Sequence, residues 1–297
     1  MYELIQVGAQ TYYIQSPTKI GVYVADAQHV YLIDSGNDKD AGKKVKKILD
    51  QNGWTLKGIL NTHSHADHIG GNQYLQDQTG CKIFSDAAEA MFTQYTELEP
   101  TMLYGGYPCK DLRHKFLVAK PSEAVSLTDP DYPQGVTPIG LGGHAFRQLG
   151  YRTPDGTVFL GDCLSSESTL EKYGICYLYD VQQYLDTLDY VANMRERSGL
   201  EICCFVPSHA DATADIRPLA EKNKEKVLQI ADYIRNRCDQ PSTFEDLLKN
   251  VFDDYHLAMS FEQYVLIGST VRSYLSWLRD RGELQISFEN NCMIRYK

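Results

Sequence analysis

The sequence predicts an α/β fold with a layered sheet, followed by a smaller helical region. Two short apolar runs, at 30–33 and 56–60, flank a lysine-rich segment with helical spacing, and each run ends where polar residues begin. Strand, helix and strand joined by tight connections are typical of a βαβ unit. After residue 215 the apolar residues recur at helical spacing instead. We therefore predict two domains, 1–214 and 215–297.

The first domain combines short strands with one clear helix. Runs rich in Val, Ile, Leu and Tyr predict strands at 11–14, 21–24, 30–33, 56–60, 136–140, 145–151, 158–160 and 201–206. A helix is predicted over residues 40–51, with Val45, Ile48 and Leu49 on one face and Gly53 just beyond its end. Residues 86–132 have no clear period and are interpreted as short helices and loops. An aperiodic insertion of this length often covers a functional site.

The second domain is predicted to contain three helices and a β-hairpin. The first helix has apolar residues at 219, 227, 230 and 234, and capping-box patterns at Ser242-x-x-Glu245 and Ser260-x-x-Gln263 each open another helix. Two alternating segments, 284–288 and 293–296, then flank an asparagine turn. Three helices followed by a hairpin are similar in order to a winged-helix module.

Composition restricts the function classes. The net charge is −10, with 43% hydrophobic and 23% charged residues, which is a globular composition poorly suited to nonspecific nucleic-acid binding. Most of that charge lies in the first domain, because residues 215–297 carry 12 Lys+Arg against 13 Asp+Glu. No apolar run is long enough to span a membrane. The first 17 residues lack a secretory pattern, so we expect a cytoplasmic protein with eight reduced cysteines.

The densest chemical signal is the segment T-H-S-H-A-D-H-I-G-G at residues 62–71. Burying four ligand-type side chains together is costly unless something compensates, and a metal ion does so. Alternate residues of an extended loop point the same way, so His63 and His65 are predicted to share one ion. Asp67 and His68 then face a second ion beside it. Gly70 and Gly71 allow the following helix to begin close to the site.

Three further segments each place a candidate ligand after an apolar run: Gly142-Gly143-His144, Gly161-Asp162 and Ser208-His209. Together with the histidine array, residues 1–212 resemble the metallo-β-lactamase superfamily. The resemblance implies a four-layer αβ/βα sandwich with a metal site at one edge. It also implies that His63, His65 and His144 hold one metal ion, that Asp67, His68 and His209 hold the other, and that Asp162 bridges both.

The resemblance implies a binuclear metal-dependent hydrolase. Nitrogen and oxygen ligands without thiolate favour two zinc ions, with iron or manganese as alternatives. A water between two divalent cations loses its proton near neutral pH and attacks a carbonyl or phosphoryl centre. The expected catalytic residues are Asp162, which bridges the metal ions, and Asp67, which orients the nucleophile. Asp34, which ends the run L-I-D, either orients a histidine ligand or forms a turn.

The first hypothesis for the substrate is a small ester, thioester or lactone. The third-histidine segment reads G-H-A-F-R-Q-L-G, whereas many thioesterase and lactonase members of the family read GHTPG, so a hydroxyacylglutathione hydrolase is less favoured. Alternatives are a phosphodiesterase or ribonuclease, and a metal-sensing regulator that reads nucleic acid with Arg272 and Arg279. The tail is expected to pack against the core or to form a homodimer. Nucleic acid is the less favoured partner.

Overall fold

A computed structural model describes residues 2–199 and 201–297. Its strands are β1 (Glu3–Gln6), β2 (Thr11–Gln15), β3 (Ile20–Val24), β4 (His29–Ile33), β5 (Thr55–Leu60), β6 (Lys82–Ser85), β7 (Ala124–Ser126), β8 (Thr137–Gly140), β9 (Leu149–Arg152), β10 (Thr157–Gly161), β11 (Cys204–Pro207), β12 (Gln285–Glu289) and β13 (Cys292–Tyr296). Its α-helices are α1 (Lys39–Gln51), α2 (Ala66–Ile69), α3 (Asn72–Thr79), α4 (Ala87–Gln94), α5 (Leu98–Tyr104), α6 (Glu167–Tyr173), α7 (Val181–Ala192), α8 (Met194–Ser198), α9 (Arg217–Arg237), α10 (Phe244–Asp254) and α11 (Phe261–Asp280).

The strands form two large sheets and a hairpin. The first sheet has the order β1-β2-β3-β4-β5-β6-β7, antiparallel from β1 to β4 and parallel from β4 to β7. The second has the order β11-β10-β9-β8, in which only β10 and β11 are parallel. Strands β12 and β13 pair with each other. Parallel neighbours end at the same edge of a sheet, so polar segments that follow β4, β5, β10 and β11 collect there.

Apolar side chains bury both faces of each large sheet. Between the sheets, Phe84 and Leu60 of the first sheet pack with Tyr151 and Phe159 of the second. The outer face of the first sheet packs against α1 and α3, and the outer face of the second packs against α7 and the C-terminal helices. Helix, sheet, sheet and helix are therefore four layers, as the sequence predicted. Each sheet buries both faces, which explains its continuous apolar strands.

The C-terminal region contains the three predicted helices, α9 to α11, and the predicted hairpin. Its helices share one apolar core with the second sheet, because Ile230 and Tyr274 belong to the same buried cluster as Leu160 of β10 and Leu188 of α7. Helix α11 also contacts α5 in the segment inserted before the second sheet. The boundary at 214/215 and the winged-helix assignment stay predictions.

Several predicted boundaries need correction. The strand expected at 145–151 begins only at Leu149, because residues 145–148 form the turn after His144. The strand expected at 201–206 begins at Cys204. The helix expected to begin at Ser242 is capped by Thr243, whose hydroxyl accepts a hydrogen bond from the backbone N–H of Asp246. A single chemical pattern does not specify which of two adjacent hydroxyls becomes the cap.

Two other sequence predictions concern the insertion and the cysteines. Residues 86–132 contain α4, α5 and a short 3₁₀ helix at Lys110–Leu112, which agrees with the predicted short helices and loops, but they also contain strand β7, which was not predicted. All eight cysteines are free thiols, as predicted. Among the helices of residues 2–199 and 201–297, none has both the length and the apolar character needed to cross a membrane.

Candidate metal centre

The candidate ligands lie on loops at one edge of the two sheets. His63 follows the end of β5, Asp162 directly follows β10, and His209 lies two residues after β11. His144 lies in the turn between β8 and β9. His65 is the N-cap residue of α2, so that helix places Asp67 and His68 on its first turn. The strands therefore bring the four ligands of residues 63–68 together with three that are far away in the sequence, His144, Asp162 and His209.

The first group of candidate ligands consists of three imidazoles. His65 Nδ1 lies 3.0 Å from His63 Nε2 and 3.1 Å from His144 Nε2. These three nitrogens lie within 4.8 Å of one another, which is compact enough for one ion. The group contains His63 and His65, which the alternation along the loop placed together, and His144, which the resemblance added; that they bind one ion stays a prediction. Three nitrogen ligands and an open position are typical of a catalytic zinc site.

The second group contains two carboxylates and two imidazoles. His209 Nε2 lies 3.2 Å from Asp67 Oδ2 and 3.2 Å from Asp162 Oδ2. His68 Nε2 lies 3.2 Å from Asp162 Oδ1. Oxygen and nitrogen ligands without sulfur suit a divalent cation of intermediate hardness.

Asp162 lies between the two groups. Its Oδ2 atom is 3.2 Å from His209 Nε2 in the second group and 3.8 Å from His144 Nε2 in the first. Its Oδ1 atom and His68 Nε2 are both buried and lie 3.2 Å apart, but neither has hydrogen-bond geometry with the other or with any other described residue. Buried polar atoms are rarely left unpaired, and a cation between these atoms would compensate both.

The opposite ring nitrogen of four of the five histidines is held by the protein. His144 Nδ1 lies 3.2 Å from the Tyr177 carbonyl oxygen, and His209 Nδ1 lies 3.1 Å from that of Pro17. A carbonyl oxygen only accepts, so each Nδ1 carries a proton and each Nε2 is the atom that faces the centre. Such partners orient metal-binding histidines. Sequence reasoning missed both carbonyls, because a backbone acceptor leaves no mark in the residue types.

Asp34 orients the other two histidines, His68 directly and His63 through Thr62. Its Oδ2 atom accepts from His68 Nδ1 at 2.7 Å and from the Thr62 hydroxyl at 2.7 Å, and its Oδ1 atom accepts from the Thr62 backbone N–H at 2.8 Å. Because the Thr62 hydroxyl donates to Asp34, its oxygen accepts from His63 Nδ1 at 3.0 Å. The two interpretations of Asp34 are thereby separated, since the side chain orients ligands rather than only forming a turn.

Burial and charge divide the histidines into two kinds. Burial lowers the pKa of His63, His144 and His65, the last to about 3, and neighbouring histidines lower it further. Asp162 raises the pKa of His209 to about 10. Burial opposes protonation of His68, but Asp162, Asp67 and Asp34 outweigh it and hold its pKa well above the usual value. The first group therefore offers neutral lone pairs, and the second is a balanced cluster of opposite charges.

Directly after α2, Gly70 and Gly71 lie so close to the loop of residues 35–37 that neither position has room for a side chain. A Cβ atom on Gly70 would lie 2.3 Å from the carbonyl carbon of Asn37, and one on Gly71 would lie 2.4 Å from the Ser35 carbonyl oxygen. Both contacts are with backbone, which cannot move aside as a flexible side chain can. The two glycines therefore let the chain pass against residues 35–37; that they bring the following helix close to the metal site stays a prediction.

Gly71→Ala is expected to lower the free energy of unfolding by about 1–3 kcal/mol, because the added methyl group overpacks a rigid backbone contact. Urea unfolding of the purified variant measures the change. Gly140→Ala is the matched control, since a Cβ there meets nothing within 4 Å. The control should change stability by less than about 0.5 kcal/mol. Equal stability of Gly71→Ala and the parent protein would contradict the close contact.

The three histidines outside the centre lie elsewhere. His29 pairs with Asp26 at 2.9 Å on the surface, and His114 lies 3.6 Å from Glu262. His256 has a positive φ of 53° directly after α10. None belongs to either ligand group found among the described residues. These positions agree with the expectation that all three are ordinary surface or packing residues.

Curated relatives match this chain over short segments. A hydroxyacylglutathione hydrolase from Methylococcus capsulatus is 37% identical over 73 residues, which is 22% of this chain and 28% of the relative. One from Maricaulis maris is 29% identical over 120 residues, or 39% of this chain and 36% of the relative. The matched segments thus span about a third of these relatives or less.

Solved structures match almost the whole chain in fold. A beta-lactamase domain protein from Burkholderia ambifaria superposes with a TM-score of 0.75 at 16% identity, covering 99% of this chain and 93% of that one. A metallo-beta-lactamase family protein from Thermus thermophilus has a TM-score of 0.70 at 17% identity and covers 97% and 99%. A family model for the metallo-beta-lactamase superfamily matches residues 17–197. With that match spanning more than half of its length, the chain belongs to the metallo-beta-lactamase superfamily.

Proposed function

We propose that the protein is a binuclear metal-dependent hydrolase that cleaves a small thioester, ester or lactone. The observation that carries the proposal is the position of Asp162 between two adjacent ligand groups, each compact enough for one ion. In this proposal His63, His65 and His144 hold one ion. Asp67, His68 and His209 hold the other, with Asp162 shared.

Zinc is the metal that the ligand set favours. The first group offers three neutral imidazole nitrogens, and the second adds two carboxylates, while no cysteine belongs to either group among the described residues. Zinc accepts this mixture of nitrogen and oxygen, although iron and manganese share it. Bound divalent cations lower the pKa of water and polarise a substrate carbonyl, which is the chemistry that hydrolysis requires.

Asp67 and Asp162 have different roles in the proposed reaction. Asp67 lies on the more open side of the centre, and its Oδ2 atom accepts a hydrogen bond from the Thr18 hydroxyl at 2.8 Å. This contact orients the carboxylate, which can then orient a nucleophilic water and accept its proton. Asp162 is more enclosed and holds the two histidine groups at a constant separation. Sequence reasoning missed Thr18, which lies 49 positions from its partner.

A thioester is the first choice of substrate. The curated relatives are named hydroxyacylglutathione hydrolases, a name that denotes cleavage of an acylated glutathione. The similarity covers only part of those proteins, so esters and lactones of similar reactivity belong to the same proposal. The net charge of −10 also favours a small molecule over a polyanion.

The nucleic-acid alternatives receive less support from the C-terminal helices. The guanidinium group of Arg272 lies 3.9 Å from the ring centroid of Phe244, and Arg279 donates to the Leu284 carbonyl oxygen at 3.0 Å. Both side chains are thus engaged within the C-terminal region. A reading helix instead directs its basic side chains outward to phosphates and base edges.

The test is a joint measurement of metal content and hydrolysis. We expect about two zinc ions per chain by plasma mass spectrometry, and release of free thiol from an S-acyl glutathione. Removal of the ions with a chelator should abolish the reaction, and zinc should restore it. An aryl ester, a lactone and an activated phosphodiester are assayed in parallel. Cleavage of the phosphodiester alone would favour the second hypothesis, and a metal-loaded protein that cleaves none of the four substrates would overturn the proposal.

A further inference from the structure

A buried carboxylate outside both ligand groups contacts two of the ligand loops. Glu89 lies on α4, in the segment inserted between β6 and β7, and only 1% of its surface is exposed. Neither α4 nor this residue carries any of the seven candidate ligands. A charged side chain this deeply buried requires partners to offset its loss of water. The positions of those partners show what Glu89 does.

One carboxylate oxygen of Glu89 holds the backbone between the first two histidines. Its Oε2 atom accepts from the Ser64 backbone N–H at 2.9 Å and from the Ser64 hydroxyl at 2.5 Å. Ser64 lies between His63 and His65, so both ligands are directly bonded to the residue that Glu89 binds. Hydrogen bonds to a charged acceptor are about twice as strong as neutral ones.

The other oxygen of Glu89 holds the third-histidine loop. Its Oε1 atom accepts from the Arg147 backbone N–H at 2.7 Å. Arg147 lies three residues after His144, within the turn that precedes β9. The two loops are distant in sequence, and one backbone hydrogen bond also joins them, from the Leu149 N–H to the Thr62 carbonyl oxygen at 2.8 Å. Glu89 therefore connects the loop of two ligands to the loop of the third.

The second ligand group has a different support. Asp34 binds His68 directly, and it also reaches His63 of the first group through Thr62. The side-chain hydrogen bonds of Glu89 go instead only to the loops that carry the first group. Glu89 thus supports the first group alone, whereas Asp34 supports the second group and one ligand of the first.

We propose that Glu89 is a positioning residue that assembles the first metal group by joining the His63–His65 loop to the His144 loop. The inference rests on the proposed metal centre and adds that Glu89 supports the first ligand group and not the second. Loss of the connection should weaken binding of the first ion and leave the second ion bound. A residue with a merely structural role would lower global stability without such selectivity.

Glu89→Gln is the first test. An amide can keep its oxygen toward Ser64, but its NH₂ group then faces the Arg147 N–H, and two donors oppose each other. We expect the first ion to bind about 10- to 100-fold more weakly, the usual effect of losing a group that orients metal ligands. Equilibrium dialysis against buffered free zinc should give one tightly and one weakly bound ion. When cobalt replaces zinc, the Glu89→Gln variant should selectively lack the visible absorption of the three-histidine site.

Glu99→Gln is the matched control. Glu99 lines the same small cavity beside His65, but it makes no hydrogen bond to either ligand loop among the described residues. Burial, with Asp67 and Glu89 nearby, raises the pKa of Glu99 well above its usual value, so glutamine resembles its neutral form. This control should retain two tightly bound ions. Loss of the first ion in both variants would assign the effect to the cavity rather than to the connection.

Ser64→Ala keeps the test decisive if Glu89→Gln does not fold. It removes one of the two donors at Ser64 and leaves the backbone N–H, so we expect a weaker first site with a smaller change than in Glu89→Gln. Wild-type affinity for both ions in a folded Glu89→Gln, or in Ser64→Ala when that is the folded variant, would overturn the inference. A parent protein that binds no pair of ions would instead overturn the proposed centre, so the two failures are distinguishable.

Discussion

Asp162→Asn is expected to reduce hydrolysis by more than about 100-fold, and to leave one ion or none bound per chain. Removing only an outer partner of a metal site costs about 10- to 100-fold. Asp162 contacts both groups, with Oδ2 between His209 and His144 and Oδ1 beside His68. Asparagine places an NH₂ group where one of these oxygens stands, and an amide nitrogen does not bind a cation. The measurement combines metal content with thiol release from the thioester.

Asp155→Asn is the control for this prediction. Asp155 lies in the turn before β10, at the opposite end of the strand from Asp162, and accepts hydrogen bonds from Thr11 and Thr153. The control should lose some stability, because it disturbs buried hydrogen bonds. It should keep both ions and the parent activity. If Asp162→Asn also kept both ions, the shared role of this carboxylate would be refuted.

Asp34→Asn is expected to weaken binding of the second ion by about 10- to 100-fold, with a parallel loss of activity. Asp34 has a φ of 62°, a backbone conformation that asparagine tolerates, so the variant tests the charge rather than the backbone. The new NH₂ group would face His68 Nδ1, which now donates to the carboxylate at 2.7 Å. To avoid two opposed donors, His68 would move its proton to Nε2, the atom that faces the metal.

The measurement is equilibrium dialysis of zinc and of cobalt, as for Glu89→Gln, with the opposite expectation. Here the three-histidine site should stay filled while the site with Asp67 and His209 empties first. Asp26→Asn is the matched control, because Asp26 also binds a histidine, His29 Nδ1 at 2.9 Å, but does so on the surface. Loss of the first ion instead of the second would show that Asp34 acts mainly through Thr62 and His63.

The ligand array could be proposed from the sequence because its information is local. Four of the seven candidate ligands lie within six residues, and the alternation of an extended loop separates His63 and His65 from Asp67 and His68. The paired glycines have a tertiary cause instead, since no side chain fits where they meet residues 35–37, more than 30 positions earlier in the chain. The apolar runs likewise predicted the strands that position the loops, and the sandwich follows from burying both faces of each sheet.

His144, Asp162 and His209 were proposed through order and resemblance, and the tertiary structure decided their distances. Whether these side chains meet depends on how two sheets pack, which is a property of the whole core and not of any short segment. The same reason explains the missed groups. Tyr177 and Pro17 act through backbone carbonyls, which every residue possesses, so their identity carries no signal.

By itself the sequence determined which side chains are available to a metal and which strands end beside them, because spacing along a chain is a local property. The tertiary structure alone decided which groups hold the ligands in place. Glu89 lies in a segment without a periodic pattern, and its role appears only when α4 packs beside two loops. The cause is physical, since a hydrogen bond depends on distances within about 3 Å that no pattern of residue types specifies.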